Sequence, residues 1–264
     1  MQSRDLDIFK TWFTGYSQTF YTDDTEDNKN IEVKVRHTSY VCENAVLIAR
    51  EEQMADNNIL IAETAALFHD IGRFAQYATY KTFRDNISVN HGRLGAEILR
   101  EKKVLEGIAP REQELIINTV QFHNTFEVPA FEDEQKILFV RLIRDADKLD
   151  IWRVFAEYFH GAEDVHASAV GLGLPDLPEY SQKVLSCLHK KTLATLSDLK
   201  TLNDFKLTQL SWVFDLNFRP SFRLLAERNL IHRIASTLPQ TEEIAGALAV
   251  VEQFVSEKSG LKRR

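Results

Sequence analysis

A chain of 264 residues that is 44% hydrophobic and 27% charged can bury a full core, either as one large domain or as a domain with an appendage. Its formal net charge of -7 gives no basic field to grip a nucleic-acid backbone, so nucleic acid fits poorly as the main partner. Cys42 and Cys187 lie far apart without a ligand motif, which argues against a disulfide framework and a cysteine zinc site. MQSRDLDIFKTWF lacks an apolar signal core, and no later run approaches the roughly 20 apolar residues that span a bilayer. The expectation is a cytoplasmic protein with no membrane partner.

Ile8, Phe9, Trp12, Phe13, Tyr16 and Phe20 recur at steps of three and four, placing an aromatic stripe on an N-terminal helix that suits a core better than a base-stacking surface. The acidic stretch from Asp23 to Asn30 reads as a solvated loop, so residues 1–29 are expected to form a helix and an acidic loop. From there Ile31, Val35, Val41, Ala45 and Ile48 follow one face of a second helix, which carries His37. A third helix, starting after Asn57 and Asn58 and running through ILIAETAALFHD, is expected to end near Gly72, with His69 and Asp70 at its close.

Residues 73–90 show few periodic apolar positions and predict a loop. A fresh cap then opens the helix HGRLGAEILREKK at His91, with Asp85 and Ser88 as candidates to cap it or shape a pocket. Pro110 suits the first turn of a fifth helix, which delivers His123 before Pro129 stops it. A further helix, from about Glu134 to Phe159, carries Arg144, Asp145, Asp147, Lys148 and Asp150. GLGLPDLP at 171–178 is the clearest break, and beyond it SWVFDLNF and the run from Ile244 to Val255 are apolar segments within further helices. No β-rich block appears, so the predicted class is all-α.

Six residues stand out together: His37, the pair His69 and Asp70, His91, His123, and one aspartate of RDADKLD. Imidazole nitrogens and carboxylate oxygens are the donors that Mn, Fe, Co, Ni or Zn ions accept in water, and each candidate sits near a helix end or on an amphipathic helix able to face a common centre. Any one of these histidines alone would read as a surface or satisfied core residue; the ordered set points to a metal. His160, His166, His189 and His232 match nothing and are expected to be structural or exposed.

In this order the set resembles the HD superfamily of metal-dependent phosphohydrolases, whose signature is H, then HD, then D across a helical bundle. The elements here are His37 in KVRHTSYV, His69 and Asp70 in ALFHDIGRF, and the aspartate of RDADKLD. The resemblance covers roughly residues 30 to 160 and implies an HD domain over 30–160, with residues 161–264 expected as a C-terminal helical extension packed on it. The register A-D-x-x-D implies Asp147 as the ligand, with Asp145 the alternative and Asp150 behind the ligands or structural.

His91 and His123 match positions that several branches use to complete a second metal site. The implied arrangement has Asp70 bridging two divalent ions, with His37, His69 and Asp147 on one and His91 and His123 on the other. Such a pair lowers the pKa of a water between them toward about 7 and neutralises charge on a phosphoryl group. Arg73 and Lys148 are the candidate catalytic cations for phosphate contacts, with Arg144 and Arg93 behind them.

The expected partner is a small phosphorylated substrate, with nucleotides, cyclic nucleotides and other phosphate esters all open, as is self-association. Two other activities use related scaffolds. A mixed-valent di-iron oxygenase shares a set of four histidines and two aspartates, and a non-catalytic nucleotide-sensing module is expected to lack a ligand.

Overall fold

The computed structural model describes residues 1–160 and 173–260. Among them every regular element is helical, which makes the fold all-α. Contacts divide the chain into two compact units, Met1–Asp150 and a second that comprises residues 151–160 and 173–260 of those described. His166 and the first two residues of the 171–178 break lie outside the described residues. No described helix is long and apolar enough to cross a membrane.

In the first unit the helices are α1 (Ser3–Gln18), α2 (Thr25–Glu51), α3 (Asp56–Phe68), α4 (Ile71–Tyr80), α5 (His91–Glu101), α6 (Pro110–Phe122) and α7 (Glu134–His160), whose residues through Asp150 belong here. Most of the stripe of α1 is core, with Phe9 and Trp12 meeting Phe68 edge-on and Phe13 meeting Phe74, whereas Ile8 is exposed. α3 packs on α2 and α6, and α5 packs on α4 and α6. The fully buried Val41, Ala45, Phe68, Ile71, Phe74, Ile116, Phe139 and Ile143 form the interior behind the ligand candidates.

Four expectations change. α3 starts at Asp56, so Asn57 and Asn58 lie in its first turn rather than ahead of it. The acidic stretch is not all loop: α2 starts at Thr25 because the Asp24 carboxylate accepts from the Glu26 and Asp27 amides, and acidic residues in the first turn offset the helix dipole. α3 stops at Phe68, and Asp70 adopts φ -101°, ψ 15°, so the chain turns at the His69–Asp70 pair and restarts as α4. Residues 73–80 are therefore helical rather than loop, with Ile71, Phe74 and Tyr77 buried at steps of three, and the helix ends at Lys81 with φ 51°.

Gly72 accordingly does not stop a helix. It sits in the first turn of α4, where a Cβ would lie 2.2 Å from the carbonyl oxygen of His91, so its bare backbone lets α4 and α5 approach closely.

The second unit holds residues 151–160 of α7 and α8 (Gln182–Lys190), α9 (Leu202–Ser211), α10 (Arg219–Glu227), α11 (Leu230–Ala235) and α12 (Glu242–Ser259). α9 is its axis, buried along its whole length and packed on α8 and α11. Val213, Leu216 and Phe218 of SWVFDLNF are buried, as are Ile244, Ala247, Val251 and Val255 of α12. These apolar segments are core.

Candidate metal centre

Five elements of the first unit bring the six candidates to one place. His37 lies mid-way along α2; His69 and Asp70 occupy the turn between α3 and α4; His91 opens α5 after the cap Asn90; His123 ends α6; Asp147 lies on α7. Three overlapping groups have ligand atoms close enough to share an ion: His37, His69 and Asp70; His69, His123 and Asp147; and Asp70, His91 and His123.

Asp70 uses its two oxygens on different neighbours. Oδ2 lies 3.6 Å from Nε2 of both His37 and His69, whereas Oδ1 lies 3.2 Å from Nε2 of His91 and 3.9 Å from that of His123. Asp147 Oδ1 completes the first side, 3.0 Å from His37 Nε2 and 3.7 Å from His69 Nε2. Asp145 is fully buried and belongs to none of these groups.

Every imidazole turns its Nε2 inward because its Nδ1 is engaged behind. His37 Nδ1 meets Asp150 Oδ2 at 2.6 Å and His91 Nδ1 meets Asp85 Oδ2 at 2.8 Å. The other two donate to carbonyls three residues upstream, His69 to Ala66 at 2.7 Å and His123 to Val120 at 2.8 Å. A carbonyl only accepts, so the proton sits on Nδ1 of His69 and His123 and the Nε2 lone pairs face the centre.

His37 Nε2 and His69 Nε2 stand 3.2 Å apart, and His91 Nε2 and His123 Nε2 stand 3.1 Å apart. Two facing lone pairs at that separation repel unless a cation or a proton lies between them. Four imidazoles and two carboxylates, buried and held from behind, are a donor set that fits divalent transition ions.

The electrostatics agree. Burial pushes the Asp70 carboxyl up, but Lys34, His69, Arg73 and His91 together hold it well below the usual carboxylate range. Burial also acts against Asp147, and the His37 hydrogen bond with the charges of His69 and His37 brings its carboxyl down. Burial lowers His69 and His91, and with its histidine neighbours takes His123 to about 3, so it stays neutral. For His37, burial and Lys34 push down but the bonds to Asp147 and Asp150 prevail, raising it to about 9.

The cations suggested by sequence have different surroundings. Arg73 Nη1 donates to Gln76 Oε1, the Phe83 carbonyl and Asp85 Oδ1, and its Nε lies 3.4 Å from Asp70 Oδ1. Lys148 is half-buried beside Asp147. Arg144 is buried and caps the carbonyls of His123, Thr125 and Phe126, while Arg93 pairs with Glu97 on the surface, so neither belongs to the centre. His160, His189 and His232 are exposed and outside the cluster.

Asn90, Lys34 and Asn124 escaped the sequence reading, and Asp85 takes the second of the two roles suggested for it. Asn90, not Asp85 or Ser88, caps α5, accepting from the Arg93 amide. Asp85 instead ties His91 to Arg73, Gln76 and Asn124. Lys34 donates to Asp70 Oδ2 at 2.7 Å. Its one signal was its place a helical turn before His37, and that of Asn124 its place beside His123.

Residues 35–152 match the family described as HD domain, and this span contains all six candidates together with Asp85 and Asp150. No curated protein and no solved structure matches the chain.

Proposed function

We propose, from the HD domain that residues 35–152 form, that this protein is a metal-dependent phosphohydrolase acting on a phosphate mono- or diester, with a nucleotide or small phosphorylated metabolite as substrate and the cytoplasm as its compartment. The observation that carries the reading is the placement of Asp70, whose two oxygens face two different histidine pairs. One carboxylate shared between two donor groups is what a binuclear centre requires. His37, His69 and Asp147 would hold one ion, and His91 and His123 the other. Ions bound there supply an acidified water for attack and positive charge against the phosphoryl oxygens.

The chain's own groups keep that centre ready. Asp150 and the Ala66 carbonyl orient His37 and His69, and Asp85 and the Val120 carbonyl orient His91 and His123. Such fixed orientation spares the centre reorganisation when substrate binds. Lys148, beside Asp147, and Arg73, through the face not turned to Gln76 and Asp85, are the cations proposed near the substrate.

Chelator-treated protein resupplied with Mn, Co or Ni should release phosphate, or a phosphomonoester, from one chemical class in a panel of phosphorylated metabolites. A purified iron form that consumes oxygen and shows a mixed-valent spin signal, with no ester cleaved, would instead indicate the di-iron oxygenase.

A further inference from the structure

We infer that Lys34 is a substrate-binding residue, its ammonium donating a hydrogen bond to a phosphoryl oxygen; this deepens the phosphohydrolase reading and rests on it. Lys34 lies one turn before His37 on the same face of α2, so the helix that presents a ligand candidate also presents this cation. Its Nζ is 2.7 Å from Asp70 Oδ2, and its charge lies 5.1 Å from the centre of the Phe83 ring, which steadies the long side chain. Among the described residues Asp70 is the one carboxylate paired with it.

One feature separates Lys34 from Arg73 and Arg144, and a second, which Arg73 shares at 15% exposure, makes it reachable. The first is commitment: Arg73 Nη1 is taken by three acceptors, one of them the opposite charge of Asp85, and Arg144 is spent on backbone carbonyls. Among the described residues Lys34 has a single acceptor, and that acceptor is an oxygen that metal ligation would claim. The second is access. The Lys34 side chain keeps 16% of its surface and Asp147 keeps 17%, whereas His37, His69 and Asp70 are closed to within a few per cent. A ligand arriving from solvent therefore reaches Lys34 as it reaches the centre.

Charge then decides what the ligand is. With two divalent ions present, Asp70, Asp147, Asp150 behind His37 and Asp85 behind His91 only just balance them, and Arg73 beside Asp70 and Asp85 already puts the centre in positive surplus. Lys34 adds one more positive charge to a centre already in surplus, and the Asp70 carboxylate no longer neutralises it. An ammonium so placed calls for an exogenous anion with more than one oxygen, so that metal and lysine are satisfied together. A phosphoryl group is that anion.

The test uses the full chain loaded with Mn and inorganic orthophosphate as the probe, read by isothermal titration calorimetry, with metal per chain measured separately. Lys34→Met keeps the apolar stem against Phe83 and removes the charge. It should leave metal content at the wild-type value and weaken orthophosphate binding roughly tenfold to a hundredfold, the loss expected of one charge-assisted hydrogen bond. Lys34→Arg should recover most of the binding, which a packing role would not produce.

Unchanged orthophosphate affinity in Lys34→Met overturns the assignment. Loss of metal in that variant also overturns it, because Lys34 would then serve the ligand Asp70 rather than the substrate. A Mn-loaded wild type that binds no orthophosphate removes the phosphohydrolase reading itself, and Lys34 with it. If Lys34→Met does not fold, Lys34→Gln and Lys34→Arg give the same comparison.

Discussion

Replacing Gly72 with alanine strikes the fold and the centre at one point. A Cβ on Gly72 falls 2.2 Å from the His91 carbonyl oxygen, 2.8 Å from the Gly95 amide nitrogen and 3.2 Å from the His91 carbonyl carbon. These are backbone atoms on a packed helix, so α4 and α5 must separate by about 1 Å, an overpacking that costs about 1–3 kcal/mol and here belongs at the upper end. At about 2–4 °C per kcal/mol for 150 to 250 residues, a loss of about 3 kcal/mol lowers Tm by roughly 6–12 °C.

The displaced carbonyl belongs to His91, so the Asp70, His91 and His123 group should also lose metal affinity before the other side does. Thermal unfolding with and without Mn, alongside metal analysis, reads both effects. Gly15→Ala is the control: Gly15 is exposed on α1 with no atom within 4 Å of a Cβ, and the change should stabilise by about 0.5–1 kcal/mol. A Gly72→Ala protein with wild-type Tm and full metal content would refute the reasoning.

Asp147→Asn should strip metal from the His37 and His69 side, whereas Asp145→Asn, outside the cluster, should leave metal content unchanged; elemental analysis separates them, and the reverse order would reassign the ligand. Asp85→Asn loosens His91 and should weaken metal binding there about 10- to 100-fold in chelator competition. In metal-free protein, His37 sits above the ordinary 6.5 at about 9, so its stabilisation is full below pH 6.5 and is lost as pH rises toward 9. His123 sits at about 3, so the unfolded chain takes up a proton below pH 6.5 that the folded state refuses, and stability falls as pH drops from 6.5 toward 3. The two effects place maximal stability of the chelated protein near pH 6.5. Denaturation midpoints at a series of pH values check it, and a midpoint that keeps rising on acidification below pH 6.5, or that does not fall between pH 6.5 and 9, would contradict it.

The sequence showed the centre's donors more clearly than their supports. His37, His69, Asp70, His91, His123 and Asp147 were legible because their chemical types follow the order of a known metal-binding family, and helical periodicity placed each near an element's face or end. The structure brings all six together. The turn at His69–Asp70 was missed because Gly72 resembles a helix stop, although Ile71, Phe74 and Tyr77 already carried the spacing of α4; what Gly72 serves is a contact with His91 that no local pattern encodes.

Asp85 was visible as a polar residue in TFRDNISVNH, but its bonds to Arg73, Gln76 and Asn124 come from α4 and the end of α6 and exist only after folding. Arg144 shows the converse. Its charge suggested an anion, and its burial under the carbonyls around His123 makes it a brace for the chain.

The most direct test of the binuclear centre is a titration of chelator-treated protein with Mn, counting ions bound per chain by equilibrium dialysis while phosphate release is followed on the best substrate. The expected result is two ions per wild-type chain, no turnover without metal, and neither ion retained by Asp70→Ala, because both groups share that carboxylate. Binding of fewer than two ions to the wild type, or an Asp70→Ala variant that still binds two and turns over normally, would contradict it.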